Sequence, residues 1–259
     1  MDARRAAALF SLLAALRLSG AETPPPALRV TLLGTGNPRP SMARFGPSIL
    51  VEAGTSPPTR ILVDAGRGAT QRLFAFDVET RRDRDERLPG GGAVLGAKDV
   101  APNSSFEVSG VKITAFAVDH GPVKPAYGYR IDYAGKSVVL SGDTRYSQNL
   151  VAHAKGCDVL VHEVVVPSVE MMRSAVADAR KIRRIIEHHT TPEDAGRVFA
   201  EVKPRLAVYS HIVPSPATEE DLVAPTRKTY AGPLAVGYDL MSISIGEGVT
   251  VEKREAAVE

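Results

Sequence analysis

Apolar positions in this chain fall mainly into short runs of four to eight residues bounded by glycine, proline, asparagine or aspartate, the pattern of strands and not of long amphipathic helices. Residues 30–33 form a β-branched apolar run that meets the breaker cluster Gly34-Thr35-Gly36-Asn37-Pro38, which predicts a first strand followed by a loop. Residues 48–51 and 60–63 continue as strands, with Pro57-Pro58 marking the hairpin between them and Asp64-Ala65-Gly66 closing the third. A helix is expected to begin within residues 70–76. From residue 77 to residue 92 mixed charges end in three glycines without either period, which reads as a solvated loop. Strand patterns resume at 111–118, 127–133, 136–140 and 158–166. Helices are expected at 168–187, from Thr191 up to Pro204, and at 219–230. The second of these carries its start signal openly, because Thr191 can cap, Pro192 occupies the first helical position and Glu193 and Asp194 put acid in the first turn. A strand at 206–210 delivers His211 to a loop, and short strands at 234–238, 241–245 and 249–253 finish the chain. Strands and helices occur on both sides of the charged loop with no shift in composition, so the expectation is one α/β domain spanning residues 28–254.

Charge alters this picture little. The formal net charge is +2, and lysine and arginine are scattered without forming a stripe, so the electrostatic footprint of a nucleic-acid binder is missing and a nucleic-acid partner is not expected. The single cysteine, Cys157, excludes an internal disulfide and a cysteine-rich zinc site, and reads as a buried core thiol. At the start of the chain, Arg4 and Arg5 precede an apolar run at 6–16, and Ser19-Gly20-Ala21 supplies small residues. This is the layout of a secretory signal peptide over residues 1–21, followed by a proline-rich linker at 22–27, which places the mature protein in the periplasm or outside the cell. An amphipathic first helix is the competing reading. The apolar run is too short to span a bilayer and no later stretch is long enough.

The candidate chemistry lies with the histidines. Six are present, His120, His153, His162, His188, His189 and His211, and none precedes His120. His120, Asp143 and His211 each follow an apolar β run, at the strand ends where sheets present site residues. Imidazole and carboxylate together suit a divalent metal with borderline-soft ligands, although each of the three taken alone is more often structural.

Several blocks carry a resemblance in order along the chain. Leu33-Gly34-Thr35-Gly36-Asn37-Pro38, then Asp64-Ala65-Gly66-Arg67-Gly68-Ala69-Thr70-Gln71, then Ala126-Tyr127-Gly128-Tyr129, Ser141-Gly142-Asp143-Thr144 and Tyr209-Ser210-His211-Ile212 resemble the metallo-β-lactamase fold hydrolases of the ribonuclease Z and phosphodiesterase branch. The resemblance implies an αββα four-layer sandwich. It implies zinc bound by His120, Asp143 and His211, with Asp143 as the bridging carboxylate. It also gives His162 and Glu163 the place of a His-Glu motif and His189 that of a His-Ser/Thr-Thr motif, groups that assist proton transfer to the leaving group. His153 and His188 have no role in the family pattern.

The family's His-x-His-x-Asp-His signature should follow Asp64 and is missing, as if a strand-loop-helix unit near residues 74–76 were deleted internally. Ligands split between two sites cannot hold a metal pair, whereas one zinc with three protein ligands and a water remains conceivable, so at most one ion is expected. Two readings stay open. One is an exported metal-dependent hydrolase of a small-molecule ester or phosphodiester, weakly active or inactive, for which a homodimer is compatible. The other is a non-catalytic remnant acting as a binding or structural protein.

Overall fold

The computed structural model describes residues 25–37, 43–74, 99–167, 179–214 and 217–253. The proposed leader, the first half of the linker and the charged loop at 77–92 lie outside the described residues, as does the first part of the helix expected at 168–187. Twelve strands are described: β1 Leu28–Gly34, β2 Ser48–Ala53, β3 Thr59–Val63, β4 Ser104–Val108, β5 Val111–Ala117, β6 Tyr127–Tyr133, β7 Lys136–Leu140, β8 Val159–Val165, β9 Leu206–Val213, β10 Leu234–Val236, β11 Met241–Ile245 and β12 Val249–Lys253. The helices are α1 Ala69–Phe74, α2 Gln148–Ala154, α3 Ala179–His188, α4 Pro192–Val202 and α5 Glu219–Thr226.

The strands form two sheets, ordered β12-β11-β1-β2-β3 and β10-β9-β8-β7-β6-β5-β4. Alternation along the central strands of the second sheet shows how it is covered. Val138, Val161 and Val208 pack with Val30, Val51 and Ile243 of the first sheet, whereas Val139, Leu160 and Ala207 pack with Leu150, Val198 and Phe199 of α2 and α4. Both faces are therefore buried, which explains why β7 and β8 read as continuous apolar runs. With α1 contacting β1 of the first sheet, the layers are α, β, β, α, as the resemblance implied.

From β4 to β7 the strands run antiparallel, and from β7 to β10 they run parallel. Parallel neighbours require crossovers, supplied by α2, by α3 with α4, and by α5. Since β5 and β7 each lie antiparallel to β6, strands β5, β7, β8 and β9 share one direction and their carboxyl ends open on one edge of the sheet. In open sheets that edge is where ligands bind.

Three local expectations change. β4 and α2 were not anticipated, although Ser147 caps α2 by accepting from the Leu150 amide. The helix expected at 219–230 ends at Thr226, because Pro225 lies in its last turn and disfavours continuation. His211 sits inside β9 and not in a loop beyond it. No helix among the described residues is long and apolar enough to cross a membrane.

Candidate metal centre

The four codirectional strands deliver one group each to the shared edge. His120 follows β5, Asp143 follows β7, Glu163 lies near the end of β8, and His211 lies near the end of β9. His211 reaches its place through a β-bulge. Glu163 pairs with Ser210 and Val164 with Ile212, so His211 is an extra residue without an opposite number. Tyr209 and Ile212 on either side face the helix layer, which leaves both Ser210 and His211 on the cleft side. Its backbone takes the left-handed conformation, φ 46°, a strain of roughly 1–3 kcal/mol that the paired strand on each side holds in place.

Asp143 stands at the centre. Its Oδ2 lies 4.0 Å from His120 Nε2 and its Oδ1 lies 3.5 Å from His211 Nδ1. His189, between α3 and α4, enters the same space: its ring centroid is 4.9 Å from that of His120 and 5.8 Å from that of His211, nearly parallel to the latter. One ligand atom each from His120, Asp143 and His189 lie within 4.8 Å of one another. His211 meets this group through Asp143.

The histidines are oriented from behind. His120 Nδ1–H donates to the His188 carbonyl oxygen at 3.0 Å, and His189 Nδ1–H donates to Glu163 Oε2 at 3.0 Å. Glu163 is buried, and its Oε1 accepts from the Thr190 amide at 2.8 Å and the Thr144 amide at 3.4 Å. Burial pulls the His189 pKa down, but the hydrogen bond and charge of Glu163, with the charge of Asp143, hold it above the ordinary histidine value.

His162 goes elsewhere. It contributes to the cleft wall, yet its ring is fully buried and packs edge-on against Phe199 at 5.8 Å, with Nδ1–H donating to the Glu163 carbonyl. Burial pushes its pKa below the ordinary value. His153 stacks on Phe116, also away from Asp143. His188 lies edge-on to His120 and serves the site through its carbonyl.

Sequence reading did not single out Asp64. It lines the same cleft from the end of β3, in the left-handed conformation at φ 58°. Partial burial raises its pKa, as does the charge of Asp143, while His211 opposes the shift. The cleft has a volume of about 390 Å³, and Ile49, Val63, Val123, Tyr127 and Tyr129 give it an apolar wall facing the carboxylates and imidazoles.

Residues 75–212 match the model of the beta-lactamase superfamily domain. The chain belongs to the metallo-β-lactamase superfamily. Its resemblance within the superfamily runs to the ribonuclease Z-like hydrolases. Ribonuclease Z of Mycobacterium tuberculosis is 29% identical over 275 residues, covering 84% of this chain and 98% of that protein. Among solved structures, the metallo-beta-lactamase fold protein YhfI from Bacillus subtilis superposes with a TM-score of 0.62 at 17% identity, covering 83% of this chain and 98% of that one. Zn(2+)-bound PqqB from Methylobacterium extorquens gives 0.60 at 18% identity, covering 84% and 100%. These two likenesses concern the fold. The metallo-β-lactamase architecture thus accounts for both sheets and for the edge on which Asp143 is presented.

Proposed function

We propose that this chain is a metal-dependent hydrolase of a small-molecule phosphodiester or related ester, built around one metal ion on Asp143, most suitably zinc, and turning over far more slowly than a two-metal centre. The observation that carries the reading is the convergence of His120, His189 and His211 on Asp143 at the carboxyl edge of the sheet. The donors fit a divalent ion of zinc type. Imidazole nitrogen and carboxylate oxygen are its ordinary ligands, and His120 is tied through Nδ1 so that Nε2 is the nitrogen turned to Asp143. His120 and Asp143 would hold the ion with one further histidine, His211 in the family pattern. When bound, such an ion lowers the pKa of a water and polarises the ester oxygen.

The chain's own groups do the rest. The apolar wall of Val123, Tyr127 and Tyr129 seats the organic part of a substrate, and Glu163 holds His189 against the reacting space. One ion is the expected complement because no histidine precedes His120, so the segment that would supply a second site's ligands is not in the sequence. The match to the mycobacterial ribonuclease Z agrees with this, since it extends over 275 residues while taking in only 84% of a 259-residue chain. A small substrate is preferred to a nucleic acid because the net charge is only +2 and the cationic residues are scattered. Export to the periplasm or medium is part of the proposal and rests on Arg4, Arg5 and the apolar run after them.

The test is metal analysis after dialysis, together with hydrolysis of bis(p-nitrophenyl) phosphate by the full chain and by Asp143→Ala. About one ion per chain with weak turnover that disappears in the variant is expected. Two tightly held ions per chain, or robust turnover that the substitution leaves intact, would overturn it.

A further inference from the structure

We propose that the glycine-containing loop after β1, residues 34–37, is the clamp that holds His211 in its bulge, with Asn37 as the positioning residue and Asp239 as the anchor of the loop. The inference rests on the one-metal reading above, in which His211 completes the ligands of the ion, and it gives a role to a sequence block that takes no direct part in the site.

The need for a clamp arises from the strand ladder. β10 pairs with β9 only from Ala207 to Tyr209, and Gly237, just past β10, donates its amide to the Tyr209 carbonyl at 2.8 Å. β9 then runs on to Val213 with no described strand beside it on that edge. Ile212 lies in this stretch, one residue past His211, and both of its backbone groups are met by the loop from the other sheet. Its amide donates to the Thr35 carbonyl at 3.0 Å, and its carbonyl accepts from Asn37 Nδ2–H at 3.3 Å. Ile212 is fully buried and Asn37 nearly so, so these bonds have no ready replacement in water. The left-handed His211 is thus held by the pairing of Ile212 with Val164 on one side and by the loop on the other. Strained backbone persists only where its surroundings over-determine it. In a regular strand, two-residue alternation would send residue 211 to the helix side with Tyr209, so losing the bulge would turn the imidazole away from Asp143.

The loop is fixed in its turn. Asp239 Oδ1 accepts from the amide and the hydroxyl of Thr35, both at 2.9 Å, while Oδ2 accepts from the Phe45 amide at 2.8 Å and faces Arg72 at 3.5 Å. Arg44 Nη1 donates to the Thr35 hydroxyl and to the Gly237 carbonyl, each at 2.6 Å, which ties the loop to the end of β10. A line of bonds therefore runs from Asp239 through Thr35 to Ile212. It meets the metal centre at His211 Nδ1, 3.5 Å from Asp143.

The experiment compares the full-length wild type with Asn37→Ala, Thr35→Val and Thr35→Ser, and with Val202→Ala as a core control in α4, using circular dichroism to verify folding. In metal-free protein labelled with nitrogen-15 at histidine, the His211 ring resonances should move or broaden in Asn37→Ala, while those of His153 stay in place. Zn2+ affinity by competition with a chromophoric chelator should fall about tenfold in Asn37→Ala and by less in Thr35→Val. Thr35→Ser, which keeps the hydroxyl, and Val202→Ala, which loosens only the core, should bind as the wild type does. Unmoved His211 resonances with unchanged affinity in Asn37→Ala would overturn the clamp. A wild type that binds no zinc would instead defeat the one-metal reading, and the His211 resonances would still decide the clamp. One measurement needs no substitution: the Ile212 amide of the wild type should exchange with deuterium as slowly as that of Val161 in the core, and fast exchange there would refute the proposal even if Asn37→Ala failed to fold.

Discussion

Replacing Glu163 by glutamine keeps the shape of the side chain and removes its charge, and the geometry determines how the site must respond. In the wild type Oε1 accepts from the Thr190 and Thr144 amides and Oε2 accepts from His189 Nδ1–H. A glutamine has one acceptor arm and one donor arm. The two backbone amides cannot change, so the oxygen must stay with them and the amino group must face His189. His189 then has to accept at Nδ1, which moves its ring proton to Nε2, the nitrogen aimed at His120 and Asp143. Exchanging charge-assisted hydrogen bonds of about 1.5–3 kcal/mol for neutral ones of about 0.5–1.5 kcal/mol should cost roughly 1–3 kcal/mol of stability, since Glu163 is buried. Turnover of bis(p-nitrophenyl) phosphate should fall on the order of 100-fold, because His189 loses the charged partner that holds it protonated against the reacting space. Urea unfolding of the metal-free proteins reads the first effect and the phosphodiester assay reads the second. A Glu163→Gln variant with wild-type stability and wild-type turnover would show that this carboxylate neither clamps the site nor sets the tautomer of His189.

Other outcomes follow from the core and the helix ends. Cys157 is 3% exposed and burial pushes its thiol up to about 12, so Ellman's reagent should not react with the native protein and should titrate one thiol per chain after denaturation. Phe199 is fully buried with its ring 5.5 Å from both Tyr209 and Tyr230, and Phe199→Ala should lower stability by about 3–5 kcal/mol in the same urea assay. Asp221 completes the capping box of α5, and its hydrogen bonds with Thr218 hold its carboxyl below the ordinary value. Its contribution is therefore fully present above about pH 4 and lost as pH falls through the lowered folded-state value, so the stability advantage of wild type over Asp221→Asn should vanish in acid. Mass spectrometry of the protein recovered from an expressing culture should show an N-terminus at Glu22 if export and cleavage after Ala21 occur, whereas an intact Met1 or Asp2 would rule the leader out.

What the sequence determined by itself was mostly local or additive. Continuous β-branched runs such as residues 136–140 and 158–166 had to be buried on both faces, and they form the centre of the seven-stranded sheet. Thr191 and Pro192 declared the start of α4, and its cap is made as read, with the Thr191 hydroxyl accepting from the Asp194 amide. Asp143 and His120 were legible as groups at strand ends, since a polar residue closing an apolar run has few other places to go. Only the tertiary structure decided how they combine. His211 was expected in a loop because nothing along the chain reveals a bulge: the extra residue exists only relative to β8, where Glu163 and Val164 skip one partner. His189 looked like a proton carrier by its motif, and its distance to His120 and Asp143 depends on how the segment between α3 and α4 returns over the end of β8. Asp64 was read as the close of a strand and not as a site residue for a similar reason, because the end of β3 faces Asp143 only when one sheet is stacked on the other. Periodicity and capping report on neighbours along the chain, whereas a metal centre is a set of distances across it, fixed here by strand direction, register and the burial of a single glutamate.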